Sequence, residues 1–344
     1  MNINKNKKIK ITELAKKLNL SVSSVSRALN GYPNISEKTK VKILKAAKKY
    51  DYYPDLSAKR LASKKPNTIA FIAAISPDAP DYVLLEFLAG VALGIKNTST
   101  ELLIKFALTE EDEINYYHKL INSKQADKFI FYRTKQKDYR IEMLQKNNIN
   151  FVSWGRSKLY KNYAWIDMDN AKSIEILMNR LIKFGHKKIA FLNVHHSLNY
   201  GYQRQVAYKK IIKKNNFSYN KNYYQESIHG LASKGIQLTK TLLDLDDPPT
   251  AIICSLDKFL TGALQECYDR KLRVGKDISL VGYNDYDDYL NSQNITYISH
   301  PLSKMGEIAV ENLEKIENGK KPKNLGILID PILYEGNSDG PIKK

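Results

Sequence analysis

At 344 residues and 43% hydrophobic side chains, the chain is long enough for more than one domain and has the composition of a globular protein. Its net charge is +19, and residues 1–65 hold 17 Lys and Arg against 4 Asp and Glu. A basic head on a nearly balanced body points to a polyanionic partner. The polar start Met1–Lys10 has no apolar signal region, no apolar run approaches the roughly 20 residues of a membrane span, and Cys254 and Cys267 form neither a disulfide framework nor a metal cluster. The expectation is a cytoplasmic protein whose Cys254 is a buried free thiol, with no membrane partner.

Residues 12–50 read as three short helices. Thr12, Ser21 and Ser36 can cap them, and Glu37 favours the start of the third. Their apolar spacing runs through Leu14, Ala15 and Leu18, then Val22, Val25 and Leu29, then Val41, Leu44 and Ala47. The first two helices meet at Asn19, a residue that tolerates the left-handed conformation such a tight turn needs. The second helix opens with the small residues Val22, Ser23 and Ser24, which permit close approach to base edges. It presents Arg27, whose fork can pair with guanine. Pro54 closes this unit, Leu56–Ser63 is a weak helical stretch, and Lys64–Asn67 reads as a linker.

From Thr68 onward, near-continuous apolar runs alternate with helical patterns. Strands are expected at Ile69–Ile75, Leu102–Ala107, Phe129–Tyr132, Ile149–Trp154, Ile189–Val194, Ala251–Ser255, Ile278–Tyr283 and Ile295–Ser299. Helices are expected between most of them, including Val83–Ile95, Ala171–Phe184, Gln203–Lys213, Leu260–Arg270 and Ser303–Glu317. This is a parallel α/β architecture, and the pattern alone leaves one barrel or two open doubly wound halves.

Val22-Ser23-Ser24-Val25-Ser26-Arg27-Ala28-Leu29-Asn30-Gly31, with Ile35–Thr39 and Tyr52-Tyr53-Pro54, resembles the head of the lactose/galactose/purine repressor family. Asn67–Ala70, Gly185–Leu192, Pro249–Cys254 and Ile278–Asp285 extend the resemblance through the body. It implies a helix-turn-helix head (1–55), a hinge helix and linker (56–66), and a body of two doubly wound lobes of periplasmic-binding-protein type. The expected lobes are 67–166 with 295–330, and 167–294 with 331–344. By position, Val22, Ser23 and Arg27 resemble base readers, Asn30, Asn34, Thr39 and Tyr52 resemble DNA-backbone contacts, and Ala58 and Leu61 resemble minor-groove hinge residues. Asp55 departs from the family's neutral residue. The resemblance implies a transcription regulator, expected to be a repressor of carbohydrate uptake or catabolism genes. It would bind a palindromic double-stranded operator as a homodimer and respond to a small-molecule effector, expected to be a sugar or sugar derivative.

In open α/β sheets ligands bind at strand carboxyl ends, which singles out Ser76, Tyr82, Trp154, Arg156, Arg204, Asp257 and Asn284. Arg204 matches the family's cleft arginine. Asn284, Leu256 and Gly155 replace more polar residues, which implies a different or less polar ligand. His195-His196 reads as a solvated loop rather than a metal site, because no carboxylate follows at helical spacing. Asp285, Asp287 and Asp288 lack the Gly and Glu of a calcium loop. With no phosphate loop and no nucleophile elbow, neither enzyme nor cofactor is expected. A solute-binding transport component shares the body fold but not the basic head. The chain end, with Gly336, Gly340 and Pro341, excludes the heptad helix of tetrameric relatives and reads as a strand followed by a frayed terminus.

Overall fold

The computed structural model describes residues 9–29, 34–52, 66–75, 81–285 and 288–342. Asn30, Ala58, Leu61 and Ser76, singled out above, lie outside the described residues. The chain divides into two compact units, 1–66 and 67–344.

In the first unit, α1 (Ile11–Leu18), α2 (Val22–Leu29) and α3 (Glu37–Lys49) pack around fully buried Leu14, Val25 and Ile43. The turn between α1 and α2 is made by Asn19, left-handed at φ 54°, whose N–H closes back on the carbonyls of Ala15 and Lys16. Ser21 and Ser36 cap α2 and α3 by accepting from the N–H groups of Ser24 (3.1 Å) and Thr39 (3.3 Å). Two details differ from the sequence expectation. Thr12 sits inside the first turn of α1, and Lys10 occupies the cap position, its N–H donating to Glu13. The inward face of α3 is Ile43, Ala46 and Ala47, leaving Val41 and Leu44 46% and 47% exposed.

The second unit holds two six-stranded sheets. The first is wholly parallel and contains β1 (Thr68–Ala74), β2 (Glu101–Ala107), β3 (Lys128–Phe131), β4 (Asn150–Trp154), β5 (Ala164–Met168) and β11 (Gly326–Ile329), in the order β11-β5-β4-β3-β1-β2. The second contains β6 (Ile189–Val194), β7 (Tyr224–Ser227), β8 (Ala251–Cys254), β9 (Ser279–Tyr283), β10 (Thr296–Ser299) and β12 (Ile332–Tyr334), in the order β12-β10-β9-β8-β6-β7; only β12 runs antiparallel. Both sheets carry a core on each face, so the architecture is two doubly wound lobes rather than a barrel.

The chain passes between lobes three times: after β5, after β10 and after β11. The second crossing corrects the expected boundary at Ile295. Strand β10 pairs with β9 and so belongs to the second lobe, and the return to the first begins only with α12 (Leu302–Glu317). In each lobe two helices touch through glycines. Gly90 of α4 (Tyr82–Ile95) lies against Ser303 of α12, and Gly306 lies against the Phe87 carbonyl. Gly235 of α9 (Ala232–Leu243) and Gly262 of α10 (Asp257–Asp269) do the same in the second lobe. A Cβ at any of these four positions would collide with opposing backbone.

After β12, the described residues 335–342 are pinned rather than frayed. Ser338 is 3% exposed, and its hydroxyl accepts from Thr296 N (2.8 Å) and donates to the Leu280 carbonyl (2.6 Å). Asp339 accepts from Arg180 and Thr296, and buried His186 meets Thr250, Ser279 and the Gly340 carbonyl. Both cysteines are buried free thiols, and burial raises the Cys267 pKa to about 12. Among the described residues no helix is long and apolar enough to cross a membrane.

Candidate functional site

The head offers an exposed helix face. As Val25 and Ala28 turn into the core, α2 turns Val22 (41% exposed), Ser23 and Arg27 outward. Ser24 is half-buried, and its hydroxyl lies 2.8 Å from that of Ser21, which makes it part of the helix cap. At the start of α3, Thr39 shares a 2.8 Å hydroxyl contact with Ser36. That helix start carries exposed Asn34 before it, and helix N-termini suit phosphate oxygens. Tyr52 is half-buried against the head core, its N–H bonded to Ala47.

The body offers a cleft where the carboxyl ends of both sheets face each other. Its cavity is about 280 Å³. Tyr82 lines it, exposed and under the Lys258 ammonium (5.6 Å to the ring). Trp154 lines the cleft while one face is stacked on Phe87 at 4.3 Å and it belongs to the first-lobe core. Arg156 is half-buried and bonded to Asp167 (Nε to Oδ2, 2.7 Å). Arg204 is buried within α8 (Asn199–Lys214), beyond its first turn. It donates to Asn170 Oδ1 (2.8 Å) and the Ser255 carbonyl (2.7 Å), and lies flat over Tyr283 at 3.8 Å. Asp257 lines the cavity at the start of α10. Asn284 departs from expectation. It is buried, its amide donates to Asn291, and its neighbours Tyr283 and Asp285 line the cavity in its place. Asp285 is engaged by His300 through both its backbone N–H (2.8 Å) and ring.

Several cleft groups were not visible in the sequence pattern. Tyr132 and Arg133 follow β3. The Tyr132 hydroxyl donates to the Ala74 carbonyl (3.1 Å), and Arg133, held left-handed at φ 53°, bonds Asp81 at 3.0 Å. Asp167 is the penultimate residue of β5, a strand absent from the expectation, and burial raises its pKa despite the opposing Arg156. Ile228, His229 and Leu231 follow β7, also unforeseen. The signal available for all three was the carboxyl end of a strand, but two of those strands were themselves unread.

A polar relay crosses the cleft floor. Arg156 bonds Asp167, Asp167 accepts from Asn170 (3.4 Å), and Asn170 accepts from Arg204. A strap of main-chain contacts runs beside it, from Asn199 N to Thr134 O (2.9 Å) and from Gln136 N to Ser197 O (3.3 Å). A molecule touching Arg156 and Arg204 together therefore touches both lobes.

Comparison with known proteins places the two units. Residues 10–55 match the model of bacterial regulatory proteins of the lacI family, and residues 178–338 match that of a periplasmic-binding-protein-like domain. The HTH-type transcriptional regulator AglR of Rhizobium meliloti is 29% identical over 84% of this chain and 81% of its own. Two structures share the fold at lower identity. The lac repressor dimer bound to operator and an anti-inducer has TM-score 0.83, at 20% identity over 97% of this chain and 100% of that one. A complex of the transcriptional regulator CelR with cellobiose has TM-score 0.73, at 18% identity over 96% and 100%. With the exposed face of α2 and the two-lobed body, the lacI-family head and the periplasmic-binding-protein-like match identify the chain as a DNA-binding transcription regulator of the lacI family.

Proposed function

We propose that the chain is a cytoplasmic homodimeric repressor whose cleft takes a neutral, hydroxyl-rich ring compound, a sugar, and that this ligand sets affinity for a palindromic operator. The charge balance of the cleft carries the reading. Among the described lining residues, Arg133, Arg156, Arg204 and Lys258 stand against Asp81, Asp167, Asp257 and Asp285. Arg133 and Arg156 are each paired with a carboxylate, and Arg204 donates to two neutral acceptors. A phosphate or carboxylate would have to break such pairs, whereas hydroxyls can insert between donor and acceptor. Tyr82, Tyr132, Tyr200 and Tyr283 add apolar rings with polar ends, which suit a sugar face. The cellobiose held by CelR supports this class of ligand.

Val22, Ser23 and Arg27 would read base edges, and Asn34, Thr39 and Tyr52 the phosphate backbone, with two heads on two half-sites. Pairing of bodies is supported by exposed apolar residues of the first lobe: Leu85 and Leu93 on α4, and Phe106 on the edge strand β2, each more than half exposed. The lac repressor that shares the fold is itself a dimer on its operator. Light scattering without DNA should return a dimer mass; a monomer or tetramer mass would contradict the assignment. The cleft reading is tested by thermal shift of the full chain against neutral mono- and disaccharides, sugar phosphates and nucleobases. A neutral saccharide should raise the melting temperature. Stabilisation by sugar phosphates or nucleobases alone would overturn it.

A further inference from the structure

Beside the cleft, the second lobe gathers two imidazoles and a carboxylate from elements 30 residues apart in sequence. His195 and His196 follow β6, and Glu226 lies in β7. The His196 Nδ1 is 2.8 Å from Glu226 Oε2, the His195 Nε2 is 3.9 Å from the same oxygen, and all three donor atoms lie within 4.8 Å of one another. Adjacent residues rarely chelate one ion because their side chains diverge. Here one ring offers its near nitrogen and the other its far nitrogen, so the two converge with ring centroids 4.3 Å apart.

The carboxylate is built in. Glu226 is 16% exposed; Gln205 Nε2 donates to its Oε1 (3.2 Å) and His196 N to its Oε2 (3.2 Å). One oxygen is thus held by an amide while the other faces the imidazoles, as outer-shell partners orient ligands in metal sites. The His195 Nδ1 lies between the hydroxyl (3.0 Å) and the N–H (3.2 Å) of Ser197. An ion at Nε2 requires the tautomer with its proton on Nδ1, which would donate to that hydroxyl in place of the bond from the Ser197 N–H. Tetrahedral coordination with bonds of 2.0–2.2 Å requires donors about 3.3 Å apart. The observed separations bracket that value, and the half-exposed His196 has room to adjust.

We infer that His195, His196 and Glu226 form a site for one borderline divalent cation of the zinc or nickel type, with its fourth position open to solvent. The proposal is independent of the cleft's ligand. Imidazole and carboxylate donors favour such ions over calcium or magnesium, which take oxygen ligands. The site adjoins the inter-lobe strap and the cleft. The His196 carbonyl accepts from Gln136 of the first lobe (2.7 Å), and the His195 N–H donates to Ser227, next to cleft-lining Ile228. An ion here would tie the inter-lobe strap to the β7 loop.

The test is titration of the tag-free full chain with zinc, followed by calorimetry, and with cobalt, followed by visible absorption. One ion per protomer should bind, and cobalt should give the bands of a four-coordinate site. His196→Ala, at a half-exposed position, and Glu226→Gln should each abolish that stoichiometric binding. Gln205→Ala should weaken it by about 10–100-fold. His118→Ala and His229→Ala should leave it unchanged. Absence of a one-to-one site would overturn the proposal. So would binding that survives His196→Ala in a chain with an unaltered melting temperature, or binding that is lost with His118 or His229 instead.

Discussion

The head and the cleft handle polar side chains in opposite ways. On α2 the proposed reading groups Ser23 and Arg27 are exposed, with the Ser23 hydroxyl 2.8 Å from that of Ser21 in the helix cap. In the cleft Arg133, Arg156 and Arg204 are already bonded to carboxylates or carbonyl oxygens. A partner with a dense array of charge can be met by exposed groups, since release of its counterions supplies much of the affinity. A neutral small ligand supplies no such term, so its donors and acceptors must be pre-positioned and desolvated before it arrives.

The largest effect that can separate the two regions lies in the first lobe. Arg140 is buried and bonded to Asp138 (2.7 Å) and Glu113 (2.8 Å), and its Nη2 also reaches the Arg133 carbonyl. Arg140→Ala leaves two buried carboxylates facing each other and is expected to destabilise the body by about 3–5 kcal/mol. Both tryptophans, Trp154 and Trp165, lie in this lobe, so denaturant unfolding followed by tryptophan fluorescence reads the loss directly. An unchanged midpoint would mean the network is dispensable.

Arg27→Ala comes next. It should cost about 1–3 kcal/mol on operator DNA and little on random DNA. Equal losses on both, measured by fluorescence anisotropy, would make Arg27 a phosphate contact. Smaller again, Asn19→Ala puts a Cβ-bearing residue without a compensating side chain at φ 54° and should lower head stability by about 1 kcal/mol. Circular dichroism melting of the full chain would follow it, and no shift would show that the turn relaxes.

The smallest effect is a pH dependence of the second lobe. Burial lowers the pKa of His186, opposed by the Gly340 carbonyl and Asp339. The fold therefore favours the neutral ring. Its contribution is fully present above the unfolded value of about 6.5 and is lost as pH falls from there through the lower folded value. His186→Gln should flatten the dependence of melting temperature on pH over that acidic range. An equal slope in both proteins would remove His186 as its source.

How much of this was legible depended on burial. Strands covered on both faces, such as β1, β6, β8 and β9, announce themselves as apolar runs. Strands β7, β11 and β12 are short and half-exposed, and β5 carries Asp167 within it, so none gives a run. The place of the second crossing is not legible because nothing within Thr296–Ser299 says which sheet it joins, and only its pairing with β9 assigns it to a lobe. In the head, the caps at Ser21 and Ser36 and the turn at Asn19 were readable because their chemistry is local. The cleft was only partly readable. Arg204 stood out by resemblance, but the pairing of Arg133 with Asp81 spans 52 residues. The juxtaposition of His196 with Glu226 rests on β6–β7 pairing, which no local spacing encodes.

In the proposed mechanism a neutral ligand in the cleft is coupled to DNA binding through the relay from Arg156 to Arg204. The most direct measurement is operator affinity of the full chain, read by anisotropy with and without the saccharide that raises its melting temperature, in the wild type and in Arg204→Met. In the wild type the saccharide should change operator affinity by about 5–150-fold, the usual range of coupling between sites. In Arg204→Met operator affinity without ligand should persist while the response to saccharide disappears. Operator affinity that ignores the saccharide in the wild type, or that responds equally in both proteins, would contradict the account.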